Sequence, residues 1–265
     1  MQKTLAALAY GFMRIPVLSA IICLAIVDLV AGQTVDMKSS AATASLPKYR
    51  PALLGSGPDA LINRIDTADL MKKGQKNAAI MFVCSVKKTG EVVWSGTYRG
   101  TPDSKLLEQE LQKRLAPATN TKFIPAVYNY EPVDAIYYGT VTFAIVNEKP
   151  RLRIFANQEA AELEKESDFV GPQPFFGGES KFDGLHYPSK EDAPVQVNGV
   201  VELTFKIDEN GNTLAMEAKT EEPPFLGFAD TAMKDFEKAK FIPAFRAAQP
   251  VACEVTLPVY YKPKS

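Results

Sequence analysis

The pentapeptide KFIPA occurs twice in this chain, at Lys122–Ala126 and again at Lys240–Ala244. The residues around the two copies follow one common order. Each copy is preceded by an alternating apolar run that ends at a Gly turn. Each is followed by a Pro-Val pair that opens another apolar run, at Pro132-Val133 and at Pro250-Val251. This shared order predicts a duplicated structural unit, and a duplication constrains the fold more than any other feature of the sequence.

The second copy shows the elements of the unit most clearly. Val200–Asp208 alternates apolar and polar residues, which predicts a half-buried strand, and Glu209–Gly211 supplies a hairpin turn into a second strand. The last strand carries Pro258, which donates no backbone hydrogen bond and therefore suits the edge of a sheet. Between these strands an amphipathic helix is predicted from apolar residues at helical spacing, namely Phe225, Ala229, Ala232, Met233 and Phe236.

The first copy repeats this order of elements. Ile80, Phe82, Cys84 and Val86 form the inward side of its first strand, and a helix follows with Thr101 as its predicted N-cap. A closing strand and an extra hairpin come after KFIPA. The predicted fold class is therefore α+β, with two tandem units. Each unit is a three-stranded antiparallel sheet with one helix packed across it, in the order β-β-α-β.

The N-terminal residues carry the features of an export segment. Lys3 and Arg14 precede the uncharged run Ile15–Val27, a pattern typical of a secretory signal peptide. An inner-membrane anchor is the alternative, but a spanning helix needs about 20 apolar residues and Asp28 ends this run early. The predicted organisation is a signal peptide or membrane anchor (1–32), a flexible linker (33–57), a first unit with an extra C-terminal hairpin (58–157), a connecting helix and linker (158–175) and a second unit (176–265).

The composition argues against several classes of function. Lys and Arg number 30 against 31 Asp and Glu, so no basic surface for nucleic acid is expected. The chain contains one His, which leaves little room for Ser–His or Cys–His catalysis, and we expect no enzyme activity and no cofactor. No metal site is expected either, because Lys219 stands where a calcium loop at Asp208–Asn212 would need its closing Glu. Whether Cys84 and Cys253 are bridged or free stays open at this stage.

An ordered set of motifs in the second copy resembles the C-terminal domain of TonB, across about residues 177–262. A Tyr-Pro pair precedes a Gly that opens the first strand, and an Asp precedes the Gly of the turn. A Phe-x-Pro-Ala and a Pro-Val then lead into the last strand. The first copy matches the same pattern except that it lacks the Tyr-Pro. The residues that carry the resemblance are Tyr187, Pro188, Gly199, Asp208, Gly211, Phe241, Pro243, Ala244, Pro250 and Val251.

The resemblance implies a periplasmic interaction module to which an extended peptide of an outer-membrane receptor-like protein adds as an extra strand. An inner-membrane motor complex is a further partner class of the family. However, the membrane-helix His of that family is missing, since the one His here is His186. The long Pro-rich spacer of the family is missing as well. The alternative is a structural envelope-assembly protein whose two units pack on each other with no free edge. The partner-binding residues that the resemblance assigns are Tyr187, Pro188, Ala252, Cys253, Glu254, Val255, Thr256, Leu257, Val259 and Tyr260.

Overall fold

The structure of the protein is a computed structural model that describes residues 45–156, 162 and 168–263. The predicted export segment (1–32) lies outside the described residues, and so does the predicted connecting helix apart from Glu162. None of the helices in the described ranges is long and apolar enough to cross a membrane. The described residues from 45 onward belong to one compact unit, within which 45–156 is called the first half and 168–263 the second half.

The first half is mixed, with short helices and mostly antiparallel strands. Its elements are β1 (Tyr49–Arg50), β2 (Leu53–Leu54), α1 (Leu61–Arg64), α2 (Thr67–Lys72), β3 (Ala78–Val86), β4 (Val92–Gly100), α3 (Lys105–Leu115), β5 (Phe123–Ile124), β6 (Ala126–Tyr128), β7 (Glu131–Val146) and β8 (Lys149–Ala156).

The second half contains fewer helical residues among those described. Its elements are β9 (Gln173–Phe176), β10 (Gly199–Ile207), β11 (Thr213–Glu222), α4 (Phe228–Phe236), β12 (Phe241–Ile242), β13 (Ala244–Arg246), β14 (Gln249–Val251) and β15 (Cys253–Tyr261).

The long strands of the two halves pair in the same way. In the first half β3 lies between β4 and β7, and in the second half β10 lies between β11 and β15, with every pair antiparallel. The register between the first two strands shifts twice in each half, and the shifts fall at matching positions. They lie at Met81/Phe82 and Ser85/Val86 in the first half and at Glu202/Leu203 and Lys206/Ile207 in the second.

The turn that joins these two strands has the same requirement in both halves. Gly90 and Gly211 have positive φ angles of 83° and 82°, which favour glycine. The carbonyl oxygen of each glycine accepts a hydrogen bond of 2.9 Å from the backbone N–H of Phe123 or Phe241, the Phe of KFIPA. A Cβ at Gly90 would lie 2.3 Å from the Phe123 oxygen, and a Cβ at Gly211 would lie 1.8 Å from the Phe241 oxygen. No other residue fits at either turn.

A short lead-in strand precedes the long strands in each half. Leu53–Leu54 pairs with β5, and Gln173-Pro174 pairs with β12, so each lead-in reaches the same Phe-Ile dipeptide of KFIPA. The segment 33–57 is predicted as a flexible linker, but its described part forms β1 and β2, and Ala52 is fully buried. The Gln173 side chain joins the two lead-ins, since it both accepts from the Ala52 N–H (2.7 Å) and donates to the Ala52 carbonyl (3.0 Å).

The sheets differ in how their last long strand is covered. The first half does not form the predicted three-stranded sheet, because β8 and β9 both pair with β7 and the sheet grows to eight strands. The second half has a three-stranded sheet in which β15 pairs, among the strands that the structure describes, with β10 alone. Thus β7 is covered along its outer side by strands of the same chain, whereas β15 ends its sheet.

The helices close two hydrophobic cores that exchange residues. Leu107, Leu111 and Leu115 of α3 pack on the inward side of β3, and Phe228, Ala232 and Phe236 of α4 pack on β10. Ile242 of the second half belongs to the core of the first half. In return, the core of the second half includes three first-half residues, Val83, Ile136 and Tyr138. The two halves therefore pack against each other and are not independent domains.

Candidate functional site

The Tyr-Pro motif lies beside the N-terminus of α4. The Tyr187 hydroxyl donates to the Val197 carbonyl (2.8 Å) and accepts from the Val197 N–H (3.0 Å). Its ring meets the Phe228 ring edge-on, with the centroids 5.5 Å apart, and Pro188 is buried. These contacts fix the segment before β10 on the helix layer, and they leave part of the Tyr187 ring at the surface.

A buried carboxylate holds the same segment from the other side. Asp235 of α4 accepts from the backbone N–H of His186 (2.8 Å), and its second oxygen lies 2.8 Å from His186 Nδ1. The Asp235 side chain is only 6% exposed, whereas that of His186 is 62% exposed. The imidazole therefore covers the carboxylate, and its role here is to anchor the Tyr-Pro segment to α4.

The side chains of β15 divide between the two faces of its sheet. Val255, Leu257 and Val259 are buried under α4, so these three predicted partner-binding residues have side chains in the core. The remaining predicted positions are more accessible, although Cys253 lies on the same face as Val255 and packs against the same core. Exposed or half-buried positions among the predicted residues are Ala252, Cys253, Glu254, Thr256 and Tyr260.

The main-chain groups of β15 also alternate between an inner and an outer side. In β7 the direction is fixed at Ile145, whose N–H donates to the Asn77 side chain at the start of β3 (2.8 Å). Odd-numbered residues of β7 therefore face β3, and even-numbered residues such as Thr140 face β8. Ala78, the first residue of β3, pairs with Phe143, and Gly199, the first residue of β10, pairs with Tyr261. Thr140 and Pro258 each lie three residues before these partners, so they occupy corresponding positions of β7 and β15.

Pro258 fits this assignment because it has no N–H to lose on the inner side. Tyr260 and Glu254 lie in the same phase as Pro258, so their N–H groups point outward from β15. The inward-pointing N–H groups belong to the residues between them, including Val255 and Val259. The outer side of β15 thus presents main-chain donors interrupted at one position.

Two cavities flank β15 where it approaches the first half. The edge cleft, of about 340 Å³, adjoins Val255–Pro258 and is bordered by Arg99 and Glu202, whose side chains form an ion pair of 2.6 Å. The Trp94 groove, of about 310 Å³, adjoins the end of the strand. Residues of both halves line the groove, among them Val93, Trp94, Ile136, Tyr187, Tyr260 and Tyr261.

The cysteines do not join the halves. Cys84 and Cys253 are both free, and burial raises the pKa of the Cys253 thiol to about 12. Burial also raises the pKa of Cys84, which lies fully inside the first core. Neither thiol is poised as a nucleophile, because that role needs the thiolate. No group of three or more His, Cys, Asp or Glu side chains that could hold a metal ion occurs within the described ranges.

Two features of this region were missed by reasoning from the sequence. Trp94 is the single Trp of the chain and lies in an alternating strand, but no pattern connects it with β15 across the chain. Asp235 reads as a polar position on the outer face of the predicted helix. Its pairing with His186 depends on a segment that folds back over α4, which local periodicity does not encode.

Comparison with known families bears on the second half. Residues 184–263 match the family model described as Gram-negative bacterial TonB protein C-terminal. The match begins just before the Tyr-Pro segment and ends just after β15. No curated protein and no solved structure matches this chain.

Proposed function

We propose that this chain, whose residues 184–263 form a TonB C-terminal-like domain, binds extended peptide segments of outer-membrane transport partners by strand addition to β15. The observation that carries the proposal is the contrast between the two last strands. The outer side of β7 is paired with β8 and β9, whereas β15 pairs with β10 alone among the described strands. An edge strand of this kind offers main-chain donors and acceptors to an incoming strand.

We also propose that the two halves are tandem TonB C-terminal-like units of the order β-β-α-β. The matching strand order, the matching register shifts and the paired glycines at Gly90 and Gly211 support this. The lead-in strands β2 and β9 extend the correspondence upstream, since both pair with the Phe-Ile of KFIPA. On this reading only the second unit keeps its edge available for a partner.

The setting that we propose is the periplasm, with residues 1–32 as a signal peptide or as an inner-membrane anchor. This setting is supported by the match of residues 184–263 to the TonB C-terminal family model and by the uncharged run Ile15–Val27 that follows Lys3 and Arg14. We further propose that the protein is not an enzyme. Recovery of mature protein that begins near Gln33 in the periplasmic fraction would support cleavage, and full-length protein in the inner-membrane fraction would support the anchor.

The test is capture of outer-membrane proteins by the full chain and by variants of the β15 edge. Glu254→Pro removes an outward N–H, whereas Glu254→Ala removes only the side chain and serves as the matched control. An added strand would make a few net hydrogen bonds of about 1 kcal/mol each, which fits micromolar affinity. We expect Glu254→Pro to weaken capture at least fivefold and Glu254→Ala to leave it unchanged, with similar melting temperatures. Equal capture by both variants would refute strand addition at β15.

A second candidate function is a structural role in which the halves mainly support each other. The burial of Val83, Ile136 and Tyr138 in the core of the second half favours it. In that case β15 would stabilise the first half by packing against it and would bind no partner. The two candidates separate in the capture experiment, because a purely structural protein should retain no outer-membrane partner that depends on Glu254.

A further inference from the structure

The Trp94 groove is positioned to receive a side chain, and both halves are needed to form it. Val93 and Trp94 come from β4 of the first half, and Tyr187, Tyr260 and Tyr261 come from the second. The matched family region contains only the second group. A volume of about 310 Å³ can hold one large side chain with room for water beside it.

The aromatic wall of the groove is held in place by the strand beneath it. A Cβ at Gly96 would lie 3.5 Å from the Trp94 ring and 3.8 Å from the Tyr260 ring, so the two rings come together above this glycine. Trp94 is 38% exposed and Val93 is 41% exposed, although both are large apolar residues. The wall is therefore an accessible apolar surface on rigid strands.

The groove also contains a buried polar group that lacks a partner. Tyr261 is 2% exposed, and its hydroxyl makes no hydrogen bond with the residues that the structure describes. Burial first, and the nearby Asp235 carboxylate second, raise the pKa of Tyr261, so the hydroxyl keeps its proton. Tyr261 therefore lines the groove as a neutral side chain.

We propose that the Trp94 groove binds one bulky apolar side chain, aromatic or branched aliphatic, of the peptide strand that adds to β15. This inference rests on the proposed function. Tyr260 belongs both to the outer side of β15 and to the groove, so a strand paired along that side must pass the groove. Because the side chains of a strand point alternately to its two faces, one of them is presented to the cavity.

The probe is a library of random seven-residue peptides displayed on phage and selected against the full chain. Trp94 is the single Trp, so its fluorescence reports occupation of the groove directly. Val93→Lys places a charge in the groove at an exposed position. Val195→Lys is the matched control, because Val195 is 53% exposed and does not line the groove.

The expected result has three parts. Selected peptides share a bulky apolar residue at one position, and their binding shifts the emission of Trp94. Replacing that residue by Ala weakens binding about tenfold or more. Val93→Lys weakens binding to a similar extent, whereas Val195→Lys leaves it unchanged.

Other results would overturn the inference in distinguishable ways. Peptides that depend on the Glu254 N–H, but that share no apolar residue and leave Trp94 emission unchanged, would exclude the groove and keep strand addition. Peptides that need the groove but bind the Glu254→Pro variant normally would exclude strand addition at β15. The groove could then not be binding a side chain of an added strand. No enrichment over phage without a peptide would exclude both.

Discussion

Ile124 and Ile242 occupy the same position of the same pentapeptide, yet Ile124 is 36% exposed and Ile242 is fully buried. The neighbouring Phe123 and Phe241 are both buried, and the backbone N–H of each donates to the carbonyl of a turn glycine. Local structure is therefore reproduced in the two halves, while the surroundings are not. Ile242 is buried because it enters the core of the first half, whereas Ile124 is not covered to that extent by the residues that the structure describes.

The same contrast applies to the edges of the two sheets. In the first half the outer side of β7 is occupied by β8, and Thr140 pairs there with Phe155. In the second half the corresponding position of β15 is Pro258, which cannot donate to a neighbour. One half protects its edge by pairing, and the other blunts it with a proline. A duplicated unit can thus keep its framework while its edges acquire different tasks.

The largest expected difference lies within KFIPA. Ile242→Ala should lower the free energy of unfolding by about 2–5 kcal/mol, because it leaves a cavity in a shared core. Ile124→Ala should lower it by less than about 1 kcal/mol, because the side chain is partly exposed. Urea denaturation of the full chain measures both. Equal losses would contradict the burial difference on which the comparison depends.

The next effect concerns the protected edge. Thr140→Pro should destabilise the protein by about 1–3 kcal/mol, because the N–H of Thr140 points to β8 and its loss leaves an acceptor unsatisfied inside a sheet. Thr142→Ala, which keeps its N–H in the same outward phase, is the control and should cost about 1 kcal/mol or less. Thermal melts distinguish the two variants. A harmless Thr140→Pro would mean that the Thr140 N–H makes no hydrogen bond in the sheet, and so that pairing does not protect this edge.

The reverse exchange sharpens the comparison on the other half. Pro258→Thr restores a donor on the outer side of β15 and should leave the free energy of unfolding nearly unchanged. Peptide affinity should rise about three- to tenfold, since one added hydrogen bond contributes about 0.5–1.5 kcal/mol. Titration of a selected peptide, followed by Trp94 fluorescence, measures this. Lower affinity would indicate that the peptide needs the proline.

The smallest effect is at the turn of the second half. Burial would raise the pKa of Asp208, but hydrogen bonds from Asn212 and Asn210 outweigh it, and the pKa is lowered. A lowered pKa contributes stability above the unfolded value of about 3.9, and this is lost as the pH falls through the folded value. Asp208→Asn should therefore cost less than about 1 kcal/mol at pH 7, and this cost should shrink as the pH falls below about 3.9.

The first half offers a comparison for that assignment. In the first half the corresponding position is Lys87, which pairs instead with Asp134 at 2.8 Å. A pH-independent cost of Asp208→Asn would mean that the carboxylate does not hold the turn.

The sequence predicts the long strands well because burial on one face imposes a period of two. The predicted strand Val200–Asp208 differs by one residue at each end from β10. Prediction from the sequence fails where groups that are distant along the chain determine the local structure. Thr101 is predicted as the N-cap of a helix, but the helix begins only at Lys105. The Thr101 hydroxyl instead accepts from the Ala79 N–H, and the buried Gln75 side chain accepts from the Leu107 N–H in the first turn of the helix.

The second helix shows a related error. Phe225 is predicted on its apolar face but is 92% exposed, and α4 begins three residues later. The Glu221 carboxylate accepts from the N–H groups of Leu226 and Phe228 and so fixes the loop before the helix. Periodicity alone does not distinguish an apolar residue in the first turn from one displayed on a loop.

The candidate site was predicted as a strand but not as a surface. Pro258 and the alternating pattern around it identify an edge strand from the sequence. That Val255, Leu257 and Val259 would face the helix also follows from alternation. The partners of this strand across the chain, Trp94 above all, follow only from the packing of one half on the other.

The exchange of Ile242 and Phe175 into the first core has a consequence for the order in which the protein acquires its structure. During synthesis an N-terminal domain generally folds once it has been released. Here the first core lacks Phe175 until residue 175 of the 265 has been made, and it lacks Ile242 until nearly the whole chain has been made. The core of the N-terminal half therefore stays incomplete until the second half has been synthesised. The time at which this core is completed depends on chain elongation and not only on the local sequence of the first half.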